Sequence, residues 1–345
     1  MCQRWGAVVG LALAIPVALA QDSRPATQPA GPLRPGFERG PHFNEQIKTY
    51  TFDPDVRVHI NVPGDFDDAK PTRLVFFALP NGNTIEQTIG RQREEGLDWH
   101  FYIQHIGAQT RRLRELMKDE NLVVVYLEAG GRSWPSWRAK HEDNPALIAK
   151  LIDSIRTQFD AARTRVALTS HSGGGSLIFG FINHYKELPE WLDRIVWLDA
   201  DYGYSDAQQH GDKLIHWLKA SPKHTLGVYA YDDRRIKVNG KLVVGPTGGT
   251  YRKTQKMLER LRKDLDVTQE TRPEYNRYRA LDGRLDVIVV ENPEDKIWHT
   301  VLVEKNGFIH ALAFATPFEA KAGEFWGPAA YEPWIASGLG IPEAQ

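Results

Sequence analysis

Arg165-Val-Ala-Leu-Thr-Ser-His-Ser-Gly-Gly-Gly-Ser-Leu-Ile-Phe-Gly180 is the stretch of the chain that decides its fold. Its first half is a short apolar run that ends in Ser170-His171-Ser172-Gly173-Gly174. Residues 175–185 then mix small and apolar side chains with helical spacing. The stretch therefore predicts a strand, a very tight turn at Ser172 and a helix, in that order.

Two nucleotide-binding motifs with the same strand, turn and helix are excluded. A dinucleotide-binding turn needs Gly-x-Gly-x-x-Gly, but counting from Gly173 and Gly175 the last position is Ile178. A phosphate-binding loop needs Gly-Lys-Ser or Gly-Lys-Thr, and no lysine follows these glycines. A catalytic turn and a glycine-rich turn without chemistry remain as the alternatives.

The turn resembles the nucleophile elbow of serine hydrolases with the α/β-hydrolase fold, whose usual form is Gly-x-Ser-x-Gly. Small neighbours are needed there because the central serine is held in a strained backbone conformation. Ser172 is the candidate nucleophile, and Ser170 stands where the first glycine is usual.

Composition places the chain among ordinary globular proteins. It has 345 residues, of which 41% are hydrophobic and 25% charged, which is enough for a large core. The 43 basic and 44 acidic residues leave a formal net charge of -1, so no overall field attracts nucleic acid or an anionic membrane. We expect no nucleic-acid partner.

The first twenty residues have the pattern of a secretory signal peptide. Arg4 provides a positive start, residues 6–17 are apolar, and Ala18-Leu-Ala20 fits a small-x-small cleavage site. We expect a secreted or periplasmic protein cleaved near Ala20, with a retained anchor as the alternative. The apolar run is shorter than the roughly 20 residues of a membrane span, so no stable membrane insertion is expected. The one cysteine, Cys2, would leave with this segment, which excludes a disulfide and a thiol nucleophile.

The rest of the chain divides into a leader and one domain. Residues 21–46, rich in proline, glycine and arginine, predict a flexible, partly extended leader. Residues 47–345 predict a single α/β domain, with two antiparallel strands followed by buried strands that alternate with helices. This indicates the α/β-hydrolase fold, with a mostly parallel sheet of about eight strands and helices on both faces. Residues 91–118 are expected to be helical, and residues 234–284 to form an insertion.

The loop after the first buried strand contains a candidate oxyanion hole. Ligands of open parallel sheets bind beyond the carboxyl ends of the strands, and this loop reads Pro80-Asn81-Gly82-Asn83-Thr84. In this fold one donor is the N–H of the residue after the nucleophile, here Gly173. A second donor would come from Asn81, Gly82 or Asn83. Ordinary turn chemistry is the alternative explanation of Asn-Gly-Asn.

A nucleophilic serine also needs a base oriented by a carboxylate, and this fold supplies them in the chain order Ser, Asp or Glu, His. His299, in the loop after the last predicted strand, is the candidate base. His310 competes with it, but lies in the apolar run 308–314 and is better explained as a core residue.

The acid has several candidates. We rank Asp232 first, because it leaves a buried strand directly at the place where the fold usually keeps its acid. Asp233 follows it, and Asp199 and Asp201 lie after the preceding strand, where some hydrolases of this fold place the acid.

Aromatic residues suggest a substrate rim. Trp134, Trp137 and Arg138 follow a buried strand, and exposed tryptophan next to arginine suits sugar rings, aromatic acyl groups or a carboxylate. Packing against the core is the alternative. His100 and His105 are five residues apart, which is not zinc-binding spacing, so no metal and no cofactor are expected.

Three further segments strengthen the resemblance. They resemble a group of secreted bacterial hydrolases of this fold, of the planctomycete type. The segments are Leu79-Pro-Asn-Gly-Asn-Thr84, Gln104-His-Ile-Gly-Ala-Gln-Thr-Arg111 and residues 299–310. The resemblance covers residue 47 to the end of the chain. It implies the fold and a triad of Ser172, Asp232 and His299, but no particular substrate.

We therefore predict a secreted serine hydrolase that cleaves an ester, or in second place an amide, of a small-molecule or polymeric substrate through an acyl-enzyme. The alternative from another class is a catalytically silent extracellular module that binds carbohydrate at the Trp134 and Trp137 rim. The sequence does not indicate an oligomeric state.

Overall fold

The computed structural model describes residues 30–338, so the predicted signal peptide, residues 1–20, lies outside the described part. The strands are β1 (Glu38–Arg39), β2 (Gln46–Phe52), β3 (Val56–Val62), β4 (Thr72–Ala78), β5 (Asn121–Ala129), β6 (Thr164–His171), β7 (Leu192–Leu198), β8 (Thr225–Tyr231), β9 (Lys237–Val238), β10 (Lys241–Leu242), β11 (Thr268–Thr271), β12 (Tyr275–Ala280) and β13 (Leu285–Val290). The α-helices are α1 (Ile85–Ile89), α2 (Ile106–Leu116), α3 (Trp134–Lys140), α4 (Asn144–Arg156), α5 (Gly175–His184), α6 (His210–Ala220), α7 (Thr250–Leu261), α8 (Val301–Glu304) and α9 (Gly307–Ala313). Among residues 30–338, no helix is long and apolar enough to cross a membrane.

One large sheet organises the described chain. Its eleven strands lie in the order β1-β2-β3-β5-β4-β6-β7-β8-β13-β12-β11. From β5 to β13 each neighbouring pair is parallel, whereas β2 and β3 pair antiparallel with each other and β3 pairs antiparallel with β5. The predicted α/β-hydrolase fold is confirmed, but the sheet has eleven strands rather than about eight.

Helices cover both faces of the sheet, because the central strands are apolar on both sides. In β4, Leu74 and Phe76 face one hydrophobic core, and Val75 and Phe77 face the other. The first core contains the buried faces of α3, α4, α5, α6 and α7, and the second those of α1, α2, α8 and α9. Alternate residues of each strand therefore contribute to both layers.

The sheet has more strands than predicted because the insertion contributes β11 and β12, and the predicted leader contributes β1. β12 pairs antiparallel with β13, and β11 pairs antiparallel with β12. Arg277 of β12 is charged but buried, since its Nε donates to Asp286 of β13 at 2.6 Å. A buried charge of this kind breaks the hydrophobic pattern by which a strand is predicted.

The helix predicted over residues 91–118 is much shorter in the structure. Only Ile106–Leu116 is α-helical, after a short 3₁₀-helix at Trp99–Tyr102. Gly96, with a φ of +80°, and His105, with a φ of +46°, lie in the left-handed region, where a helix cannot continue.

The described part of the predicted leader, residues 30–46, packs on the domain instead of extending from it. Its last turn places Glu45 in the interior, where the side chain is 7% exposed. The Glu45 carboxylate accepts from Arg111 Nη2 and from Arg114 Nη1, both at 2.8 Å, and both arginines lie on α2. The composition of this segment could not predict the attachment, because Arg111 and Arg114 are more than 60 positions further along the chain.

We expect Glu45→Gln to lower the free energy of unfolding by about 3–5 kcal/mol, because it leaves two buried arginines without their counter-charge. Asp68→Asn is the matched control, since Asp68 also binds this segment, through Arg34, but its side chain is 91% exposed. The control should lose less than about 1 kcal/mol. Urea unfolding of both variants measures the difference, and equal small losses would contradict the assignment.

Candidate active site

The loops that carry the predicted site residues meet at one edge of the sheet. They follow β4, β5, β6, β7, β8 and β13, which are parallel, so their carboxyl ends lie together. Side chains far apart in sequence can therefore form one site there.

Ser172 makes the tight turn that its sequence predicts. It follows the last residue of β6 with a φ of +52°, which is the left-handed region, and a short 3₁₀-helix leads into α5. A Cβ on Gly173 would overlap the carboxamide of Asn81, and one on Gly175 would overlap the carbonyl oxygen of Ala200. The glycines therefore allow the turn to contact the loops after β4 and β7.

Ser172 lines a cavity of about 360 Å³. The other lining residues are Asn81, Pro135, Gly173, Ser176, Ala200, Tyr202 and Gly203. All of them are uncharged, and several lack a large side chain. The cavity therefore suits an uncharged group beside the serine.

His299 lies between the turn and a buried carboxylate. Its ring contacts that of His171, the residue before Ser172, with 5.0 Å between the centroids and a tilt of 52°. On the other side, its Nδ1 is 3.5 Å from Asp199 Oδ2. The His299 side chain is 35% exposed and that of Asp199 is 0% exposed, so a partly exposed imidazole faces a fully buried carboxylate. At this distance Asp199 Oδ2 has no hydrogen-bond partner among the described residues, and catalytic hydrogen bonds often form fully only when substrate binds.

Asp199 differs from an exposed aspartate in its backbone conformation and in the surroundings of its carboxylate. It follows β7 with a φ of +47°, and its N–H donates to Tyr229 O of β8 at 2.6 Å. Its Oδ1 accepts the hydroxyl of Thr250. Burial raises the pKa of Asp199, and the interactions with His299 and Thr250 partly offset that rise.

Asp232, ranked first as the acid from the sequence, is not beside His299. Its carboxylate accepts from Arg234 Nε at 2.8 Å and from Arg234 Nη2 at 2.7 Å. Burial alone would raise the pKa of Asp232, but the hydrogen bonds from Arg234 lower it below the ordinary value. The arginine two positions later in the sequence was the available signal that this carboxylate has another partner.

Asp233 and Asp201, the two remaining candidate acids, are buried and bind threonines of α7. Asp233 Oδ2 accepts the Thr250 N–H at 2.9 Å, and Asp201 Oδ2 accepts the Thr254 hydroxyl at 2.9 Å. Burial and the neighbouring Asp199 raise the pKa of Asp233 to about 6. Burial also raises the pKa of Asp201 well above its ordinary value. Asp199 is therefore the carboxylate that the structure places against His299.

The predicted oxyanion loop is only partly available to a substrate. Asn81 lines the cavity beside Gly173. The N–H of Gly82 instead donates to Arg132 O at 2.9 Å. Asn83 is 5% exposed, and its Nδ2 has no hydrogen-bond partner among the described residues. Gly173 and Asn81 are the members of the predicted set that reach the cavity.

The predicted tryptophan rim is wrong. Trp134 and Trp137 are 1% and 2% exposed, and their indole N–H groups donate to Leu127 O at 3.2 Å and Pro54 O at 2.9 Å. They pack against each other in the core, so core packing is the correct explanation of these residues. Arg138 donates to the oxygens of Ser176, behind the cavity wall.

Other aromatic residues are exposed near the site. Tyr202, which lines the cavity, is 36% exposed, and Trp298, the neighbour of His299, is 46% exposed. Sequence reasoning missed them because neither belongs to a cluster. Their positions directly after Asp201 and before His299 were the available signal.

His310 lies in the core, where its Nε2 is 2.9 Å from Asp286 Oδ2.

Across residues 30–338, there is no group of three or more histidine, cysteine, aspartate or glutamate side chains arranged to hold a metal ion.

No protein-family model matches the chain, and no curated protein sequence matches it. Similar solved structures include three esterases. A thermostable esterase is 14% identical over 78% of this chain and 63% of its own length, with a TM-score of 0.45. An acetyl xylan esterase from Aspergillus awamori is 13% identical over 71% of this chain and 92% of its own, with a TM-score of 0.39. The feruloyl esterase module from Clostridium thermocellum is 14% identical over 68% of this chain and 78% of its own, with a TM-score of 0.41.

The chain thus spans just under two thirds of the thermostable esterase. With identities of 14% or less and TM-scores below 0.5, these likenesses do not bear on the reaction of this chain.

We expect the wild type to lose stability, relative to Asp233→Asn, as the pH rises from about 4 to about 7. The difference between their free energies of unfolding should change by about 2–3 kcal/mol. The Asp233 pKa of about 6 lies above its ordinary value of 3.8. Between those values the folded chain holds a proton that the unfolded chain has lost, so stability falls with rising pH. Urea unfolding of both proteins across this range measures the difference. Parallel pH curves would contradict the expectation.

Proposed function

We propose that the chain is a serine hydrolase that cleaves carboxylic esters through an acyl-enzyme, with Ser172 as nucleophile, His299 as base and Asp199 as the orienting acid. The observation that carries the proposal is the position of His299, which contacts the residue before Ser172 and faces the buried Asp199 carboxylate 3.5 Å away. This is the order of groups that activates a serine.

The reaction has two halves. Ser172 Oγ attacks the ester carbonyl carbon while His299 Nε2 takes the hydroxyl proton, and the N–H of Gly173 with the Asn81 amide stabilises the oxyanion. Collapse of the tetrahedral intermediate breaks the ester C–O bond, and His299 returns the proton to the departing alcohol. In the second half His299 takes a proton from water, which attacks the acyl carbon. The bond from that carbon to Ser172 Oγ then breaks, Ser172 takes the proton back from His299, and the acid leaves. Asp199 stays ionised and holds the imidazole with Nδ1–H toward itself.

Geometry also weighs against the second predicted function. The carbohydrate-binding module depended on an exposed rim of Trp134 and Trp137, and both side chains are in the core. The cavity beside a strained serine supports a reaction rather than a silent surface.

We also propose that the protein is exported, with a small-molecule or polymeric ester as substrate. The support for export is the signal pattern of residues 1–20. Membership of the narrower planctomycete-type group remains a prediction based on the sequence segments alone.

We expect Ser172→Ala to lower kcat for a short-chain nitrophenyl ester by at least about 10⁴-fold and to abolish labelling by a fluorophosphonate probe. Ser154→Ala on α4, away from the site, is the matched control and should keep both. The anilide of the same acyl group tests amides in the same assay. Labelling that persists in Ser172→Ala would remove Ser172 from the role.

The proposal of Asp199, rather than Asp232, as the orienting acid leads to a second prediction. Asp199→Asn should lower kcat by about 10⁴-fold, because an amide favours the wrong imidazole tautomer. Asp232→Asn, the matched variant of the carboxylate bound to Arg234, should change kcat by less than about tenfold. Steady-state kinetics on both variants decide between the two aspartates, and the opposite order of effects would restore Asp232.

A further inference from the structure

The loop that contains Asp199 is braced by a helix of the insertion. Thr250 and Thr254 lie one turn apart on α7, and both are 0% exposed. The Thr250 hydroxyl donates to Asp199 Oδ1, and the Thr254 hydroxyl donates to Asp201 Oδ2. Two positions on one helix face thus each bind one carboxylate of the same loop.

We propose that Thr250 is a positioning residue, which fixes the Asp199 carboxylate so that its other oxygen is directed at His299. Asp199 Oδ1 accepts from Thr250, and Oδ2 is the oxygen 3.5 Å from His299 Nδ1. A hydrogen bond to one oxygen opposes rotation of the carboxylate, which keeps the second oxygen in place. This inference rests on the proposed function, and it assigns a catalytic purpose to the insertion.

Thr250 also contacts the carboxylate of Asp233. Its N–H donates to Asp233 Oδ2 at 2.9 Å, and its hydroxyl oxygen is 3.5 Å from the same atom. Gly249, with a φ of +91°, precedes it, and a Cβ there would overlap the Asp233 carboxylate. Asp233 therefore secures the first turn of α7.

The Thr250 hydroxyl also affects the protonation of Asp199. Asp199 lies near two other buried carboxylates, those of Asp201 and Asp233, and burial raises the pKa of all three. The positive end of α7 and the hydrogen bond from Thr250 favour the ionised form of Asp199. The titratable groups that face Asp199 are Asp201, Asp233, His299, Tyr202 and Tyr231.

Three variants of the full chain test the proposal. Thr250→Val removes the hydroxyl and keeps the shape, Thr250→Ser restores the hydroxyl, and Thr254→Val is the matched control on the same face of α7. We expect Thr250→Val to lower kcat roughly 10- to 100-fold with KM changed less than about threefold. Thr250→Ser should recover most of kcat, and Thr254→Val should stay within about twofold of the wild type. Thermal unfolding of each variant shows whether it is folded at the assay temperature.

A proton NMR signal provides a readout that does not depend on turnover. The His299 Nδ1–H proton shared with Asp199 should resonate far downfield in the wild type and disappear in Asp199→Asn. In Thr250→Val we expect the signal to disappear or to move upfield. In Thr250→Ser and Thr254→Val we expect it to stay. A kcat and a signal in Thr250→Val that match those of Thr254→Val would overturn the proposal. If the wild type neither labels nor hydrolyses any ester, yet the signal still depends on Thr250, the proposed function fails and the positioning role stands.

Discussion

Ser172 must occupy the left-handed backbone region at the end of a buried strand, and the rest of the site depends on that constraint. A non-glycine residue in this region costs of order 1–3 kcal/mol and persists only where its surroundings impose it. Here the surroundings are the central parallel strands and the close contacts of Gly173 and Gly175 with the neighbouring loops. Asp199, at the end of the adjacent strand, has the same kind of conformation, with a φ of +47°.

The second requirement is a desolvated acid. A buried carboxylate orients an imidazole strongly, but burial also favours its protonated form. Asp199 is 0% exposed, and the groups that favour its charge are His299 beside one oxygen, Thr250 on the other oxygen and the backbone of Tyr231. Thr250 belongs to a segment that looks like a peripheral insertion in the sequence. In the structure that segment extends the sheet with β11 and β12 and braces the acid loop with α7.

Much of the fold was predictable, and the site only in part. The elbow and the alternation of strands with helices are local patterns, so the fold class and the tight turn at Ser172 could be predicted from the sequence. The sequence did not show that Asp199, rather than Asp232, faces His299. Asp232 pairs with Arg234, and an ion pair leaves no hydrophobic periodicity from which it could be predicted. The tryptophan rim failed for a related reason: position after a strand does not reveal whether a side chain turns outward or, like Trp134 and Trp137, into the core.

The sequence by itself determined the α/β architecture and the serine turn, because hydrophobic periodicity and the small size of glycine act over a few residues. Only the tertiary structure decided which carboxylate meets His299, where the leader attaches and what the insertion does. Each of these depends on contacts between distant positions, such as Thr250 with Asp199 across 51 residues and Glu45 with Arg114 across 69. Such contacts are selected by burial and charge in the folded chain, which no local window of sequence contains.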